Sequence, residues 1–242
     1  MTDEARPSVA RRIARAFGLF LLVLVGGLAT QIRGDVPVAE LLPRYGATPS
    51  RFVEVEGLRV HYRDEGSGPP LVLVPGVQGR WEYSRALVDA LATHYRVITF
   101  SLCDERHGRD DAESPVDVFA HQVERALDNA HVQGAPVVGV SFGGLVALRF
   151  AATRPERTRA LVMISAPGPQ WHLRPRHDMY ARLPWLFGPL FLAETPFRLR
   201  KEIAAALPDR RARRHYLLEQ ARTILRAPVS LARMAARARL IG

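Results

Sequence analysis

The stretch VVGVSFGGLVALRFAATRPERTRALVMISA, Val137–Ala166, decides the fold. It opens on an apolar run, Val137 to Val140, and turns sharply through Gly139-Val140-Ser141-Phe142-Gly143-Gly144. Apolar residues then recur at helical spacing from Phe142 to Ala152, and a second apolar run follows at Ala160 to Ile164. A short run apolar on every residue suits a strand covered on both faces, so the unit reads as strand, helix and parallel strand. Its turn matches Gly-X-Ser-X-Gly in the strand–turn–helix setting that gives the pattern its meaning. Such a turn strains the serine backbone and projects its hydroxyl from the sheet. Side chains at the flanking positions would not fit, hence Gly139 and Gly143. The helix that follows aims its N-terminus at the same spot, where its partial positive charge favours a developing anion. Ser141 is the candidate nucleophile.

Upstream, the same alternation continues. Arg51 to Val55 and Leu58 to Asp64 alternate polar and apolar residues around Glu56-Gly57, as a β-hairpin does. After the breaker EGSGPP come a buried strand at Leu71 to Val74, a helix over Trp81 to Ala92 and a strand at Arg96 to Phe100. A further helix is marked by Val116, Phe119, Val123 and Leu127. Alternating strands and helices predict an α/β class fold, a mostly parallel sheet wrapped by helices. Ligand chemistry in such sheets gathers at the carboxyl ends of the strands. Both glycine-marked loops fall there: the turn at Ser141, and Pro75-Gly76-Val77-Gln78-Gly79 after the strand Leu71 to Val74. The backbone N–H groups of Val77 and Phe142 are the candidate oxyanion donors, with Gly76 shaping the first loop.

With these motifs the chain resembles the α/β-hydrolase family, over about Arg51 to Ile164. RFVEVEGLRVHYRDEGSGPPLVLVPG is similar to the family's opening hairpin and third strand, and VVGVSFGGLVALRFAATRPERTRALVMISA to its elbow, helix and sixth strand. Two departures stand out. Pro75 takes the place of the usual histidine of the oxyanion loop, and Ser101 to Asp110 follows the family's Asp-X-X-Gly-X-Gly-X-Ser loop only loosely. The resemblance implies acyl transfer through a seryl ester on a small ester or similar substrate, with no cofactor. A serine in place of aspartate argues against dehalogenase or epoxide-hydrolase chemistry. It also implies an acid and a histidine after the seventh and eighth strands, beyond a helical cap. No strand pattern follows Ile164, so the chain is expected to hold the N-terminal part of the fold and to be inactive or incomplete alone. The alternative is a non-catalytic protein that keeps the fold for binding at the membrane. His172 and His177 follow the serine, and His107 and Asp104 lie in the loop after the fourth strand, but none is assigned to a triad. The remaining histidines, His61, His94, His121, His131 and His215, read as surface or strand-packing residues.

The expected organisation is an N-terminal segment at 1–34, a linker at 35–50, the core at 51–166 and a helical cap at 167–242. Near the cap's start, Trp171, Tyr180, Trp185, Phe187, Phe191 and Phe197 suit either an apolar lid or ordinary helix packing. In the N-terminal segment, Arg11, Arg12 and Arg15 precede an uncharged run from Ala16 to Thr30. As a helix that run spans about 22 Å, against roughly 30 Å of bilayer hydrocarbon. Extension from Ile13 to Ile32 reaches the needed length. The favoured reading is an uncleaved membrane anchor with the domain beyond the cytoplasmic face. The competitor is a cleaved signal with Gly27 and Ala29 near the cleavage site.

Bulk numbers add bounds. The 242 residues, 48% hydrophobic and 24% charged, are ordinary for one α/β domain. The net charge is +10, and Lys201 is the only lysine. Between Arg198 and Arg239 twelve basic residues face only Glu202, Asp209 and Glu219, which reads as a solvated helical face. No nucleic-acid signature accompanies it. The single cysteine, Cys103, excludes an intrachain disulfide and a cysteine-based metal cluster, and reads as a packed thiol.

Overall fold

A computed structural model describes residues 9–31, 43, 46–103, 116–168, 171–226 and 230–241. Strands β1 (Ser50–Val55) and β2 (Leu58–Glu65) form the expected hairpin, with Val55 opposite Leu58. Glu56 and Gly57 both take positive φ, at 51° and 78°, the twist that lets a two-residue turn match its strands. The chain continues through β3 (Pro70–Val74), a 3-10 turn (Trp81–Ser84), α2 (Arg85–Leu91) and β4 (Arg96–Ser101). Next come α3 (Asp117–Asn129), β5 (Ala135–Val140), α4 (Phe142–Thr153) and β6 (Thr158–Ile164). Preceding all of these is α1 (Val9–Gln31). Beyond β6 lie α5 (Pro175–Arg182), α6 (Pro184–Arg198), α7 (Arg200–Ala206), α8 (Arg210–Arg226) and α9 (Leu231–Arg239).

The six strands stand in the order β1-β2-β4-β3-β5-β6. The hairpin joins antiparallel through β2 and β4, whereas β4, β3, β5 and β6 run parallel. Side chains alternate across this sheet and build two cores. On one face Leu71, Leu73, Val97 and Val138 meet Val88 of α2. The other face packs Val72, Val74, Ile98, Phe100 and Val137 against Phe119, Val123, Leu127, Phe142, Val146 and Phe150 of α3 and α4. Burying one such side chain contributes about 1.5–3 kcal/mol. The central strands are therefore the stable frame from which the loops at their carboxyl ends project. The outer strand β6 differs: Val162, Met163 and Ile164 are all exposed. Among the described residues no strand follows it.

Two expectations need correction. The helix expected over Trp81 to Ala92 begins instead as a 3-10 turn, and Ser84 leaves helical geometry at φ −106°, ψ 9°. The Arg63 guanidinium lies over the Trp81 ring at 4.0 Å and ties this tighter turn to β2. Second, α1 forms over the N-terminal segment, but no helix among the described residues is long and apolar enough to cross a membrane. The arginines at 11, 12 and 15 occupy its first turns, leaving an apolar stretch short of the roughly 30 Å required. Cys103, expected as a packed thiol at a strand's end, lies half-buried just beyond β4. The expected linker falls mostly outside the described residues.

By compactness the chain divides into two units. One comprises Met1–Gly34 with Met179–Ala232, and within it α1 packs along α6. The second comprises Asp35–Asp178 with Arg233–Gly242, so the final residues of the chain pack with the sheet. There Leu240 and Ile241 lie against the larger core. In the first unit, α8 exposes Arg210, Arg211, Arg214 and Arg222 to solvent.

Candidate functional site

Ser141 sits between β5 and α4 with φ 52° and ψ −121°, a conformation costly for a residue with a β-carbon. The surroundings enforce it. Its N–H donates to the Ile164 carbonyl at 2.8 Å, anchoring the turn to the end of β6, and its carbonyl accepts from Gly144 N–H at 2.8 Å. A β-carbon at Gly139 would fall 2.3 Å from the Gly143 carbonyl oxygen. One at Gly143 would fall 2.3 Å from Val74 O and 2.5 Å from Pro75 O. The two glycines thus let β5, α4 and the end of β3 approach more closely than any side chain permits. Phe142, wholly buried, holds the first turn of α4 in the core, with its ring edge-on to Phe119 at 5.4 Å.

The loop after β3 lies against this turn. A β-carbon at Gly76 would stand 3.5 Å from the Ser141 β-carbon and 3.4 Å from Val140 O. Gly79 N–H donates to Gly76 O at 2.8 Å, closing a four-residue β-turn with Val77 and Gln78 at its centre. The predicted site residues Gly76, Val77, Gly139, Ser141, Phe142 and Gly143 are therefore brought to one place, at the carboxyl ends of β3 and β5. Neither Val77 N–H nor Phe142 N–H meets an acceptor in a turn, cap or side-chain bond among the described residues. Ser141 thus stands at the N-terminus of α4, where the helix gathers partial positive charge.

Of the histidines, none hydrogen-bonds Ser141 among the described residues. His172 is exposed, His177 is half-buried at the start of α5, and His107 and Asp104 lie outside the described residues. His61 is bound elsewhere, with Nδ1 3.0 Å from Ser101 Oγ and Nε2 2.9 Å from Ser50 Oγ. Burial pushes its imidazole down to about 4; Glu82 opposes the shift, and Arg63 and Arg80 reinforce it. His121 bonds Glu56 at 2.9 Å, while His94, His131 and His215 are exposed. No group of three or more metal-ligating side chains occurs among the described residues.

Two site neighbours escape sequence reasoning. Gln122, wholly buried on α3, brackets the Cys103 peptide: its Oε1 accepts from Cys103 N–H at 3.0 Å and its Nε2 donates to Cys103 O. Arg237, on α9, reaches the loop after β3 and donates to Val77 O at 3.0 Å and Leu102 O at 3.1 Å. The pattern around it, LARMAARARL, gives no hint of a partner 160 residues upstream.

Comparison with known proteins bears on the family and the fold. Residues 69–205 match the model of a family described as alpha/beta hydrolase fold. The chain is 30% identical over 155 residues to 2-hydroxymuconate semialdehyde hydrolase of Pseudomonas sp. (strain CF600), covering 62% of this chain and 53% of that one. It is 33% identical over 132 residues to 2-hydroxy-6-oxo-2,4-heptadienoate hydrolase of Pseudomonas putida, covering 51% and 46%. The chain thus spans about half the length of these curated relatives. A solved hydrolase from Pseudomonas aeruginosa PA01 superimposes with a TM-score of 0.55 at 20% identity, covering 81% of this chain and 73% of that one, a likeness of fold.

Proposed function

From the premise that this chain belongs to the α/β-hydrolase fold family, we propose that it carries out acyl transfer through Ser141 on a small ester or similar acyl substrate. The observation carrying this reading is the strained serine at the mouth of α4, with the loop 75–79 pressed against it. The Ser141 hydroxyl adds to the substrate carbonyl and its proton passes to solvent water. The carbonyl oxygen, now negative, is held by the N–H groups of Val77 and Phe142. Collapse expels the alcohol, which takes up the proton. Water then adds to the seryl ester, releases the acid and restores the hydroxyl. That the named relatives are hydrolases supports the hydrolytic outcome; the acyl substrate class is read from the serine itself.

No histidine or carboxylate bonds Ser141 among the described residues, and the proposed activity rests on the serine and its donors. An oxyanion hole and binding without a working triad leave about 10³–10⁴-fold over the uncatalysed reaction. We therefore expect slow turnover of p-nitrophenyl acetate, with labelling by a fluorophosphonate probe at Ser141. Ser141→Ala should abolish the label while leaving the urea midpoint unchanged. Label on the Ser141→Ala variant equal to that on the parent would remove the assignment. That no base bonds Ser141 among the described residues also suits a second reading, a non-catalytic binding protein. A folded chain that takes no label at all would decide for it.

A further inference from the structure

Arg237 is 3% exposed, although a guanidinium is among the costliest groups to withdraw from water. Its surroundings show what it does there. Nη1 donates to Val77 O at 3.0 Å and Nη2 to Leu102 O at 3.1 Å, so one side chain bridges the loop after β3 and the end of β4. The bridge is doubled by backbone, since Leu102 N–H donates to Gly79 O at 2.7 Å. Space confirms how closely the parts are fitted. Gly79 takes φ +67°, and a β-carbon there would fall 2.2 Å from Arg237 Nη1. At the other end of the same four-residue turn, Gly76 abuts Ser141.

Resting on the acyl-transfer reading above, we propose that Arg237 is a positioning residue for that site. Its guanidinium clamps the turn 76–79 to β4 and so sets the direction of the Val77 N–H. The logic is geometric. The Val77 carbonyl fixes the plane of the peptide it shares with Gln78. The turn bond from Gly79 N–H to Gly76 O closes the opposite side. With both sides held, the Val77 N–H has little freedom left. A donor aimed in advance stabilises an oxyanion without reorganising when charge develops. Charge-assisted bonds to two carbonyls are stronger than neutral ones and suit a guanidinium's fixed fork better than an ammonium. The last turn of α9 thereby acts on chemistry at the serine through a loop, without touching substrate.

The test compares the full chain with Arg237→Met, Arg237→Lys and Gly79→Ala, using two readouts. The first is amide exchange at Gly79 and Leu102. Arg237→Met should speed it about tenfold or more while strands β3 and β5 remain protected. Unchanged exchange at both amides would overturn the clamp. The second readout is the rate of fluorophosphonate labelling at Ser141. Loss of one oriented donor costs about 10²–10³-fold, so a loosened one should cost about 10- to 100-fold. Arg237→Lys should recover part of the loss, because it restores one charged donor in place of two. Gly79→Ala, which builds a methyl into the guanidinium's place, should reproduce the Met phenotype with the arginine present. Labelling of Arg237→Met at the parent rate despite faster exchange would leave a structural clamp and sink the positioning role. Absence of label on the parent would instead sink the Ser141 reading, while amide exchange still decides whether the clamp exists.

Discussion

Gly143→Ala should destabilise the chain by about 3 kcal/mol and lower fluorophosphonate labelling of the folded fraction at least about 100-fold. The added methyl has nowhere to go. Its carbon would lie 2.3 Å from Val74 O, 2.5 Å from Pro75 O and 2.8 Å from Val74 C, all backbone of β3 and the residue after it. Flexible side chains can rotate away from such an intrusion, but a central strand cannot, because β3 is hydrogen-bonded on both sides to β4 and β5. Relief requires α4 to slide outward, and α4 is held by Phe142, Val146 and Phe150 in the larger core. Either way the turn at Ser141 and the loop at Gly76 separate. A misplacement near 1 Å costs about 10²-fold where geometry supplies the catalysis. Urea titration and a labelling time course on the same sample would separate the two effects. A variant as stable and as readily labelled as the parent would show that the close approach of α4 to β3 is dispensable.

The same glycines explain why this part of the structure was legible in advance. An apolar strand, a Gly-X-Ser-X-Gly turn and an apolar helix are local patterns, and the chemistry of the turn is written in the residues that make it. The hairpin was equally open to reading, since Glu56-Gly57 between two alternating runs fixes both turn and register. What was hidden depends on distant partners. The 3-10 entry to α2 has Arg63 of β2 lying over Trp81, a contact between separate elements that no helical periodicity announces. The peptide at Cys103 is completed by Gln122 from the next helix, and Val77 by Arg237 from the far end of the chain. In α1 the apolar run was visible, yet no helix among the described residues is long and apolar enough to cross a membrane. Read as strand packing, His61 was placed near enough, but its two serine partners sit on β1 and β4 and are joined only by the sheet.

That histidine is expected to weaken the fold as the pH falls. The His61 imidazole is held down to about 4 by burial, with Glu82 pulling the other way and Arg63 and Arg80 adding to the depression. In the unfolded chain the same ring titrates near 6.5. Between these two values the unfolded chain binds a proton that the folded chain refuses, so stability falls as pH drops through that window. The contribution is fully present above about pH 6.5 and is lost once the pH reaches about 4. At 1.36 kcal/mol per pKa unit the whole shift amounts to about 3 kcal/mol. A neutral ring is what the site selects: one nitrogen donates and the other accepts between Ser101 Oγ and Ser50 Oγ, bracing β2 against β4 on one side and β1 on the other. His61→Gln keeps an amide donor and acceptor and cannot titrate. Its urea midpoint should therefore lie near that of the parent at pH 7.5 and rise above it as the pH approaches 4. Parallel curves across that range would mean that the acid sensitivity arises elsewhere, since removing the group that titrates must draw the two curves apart at low pH.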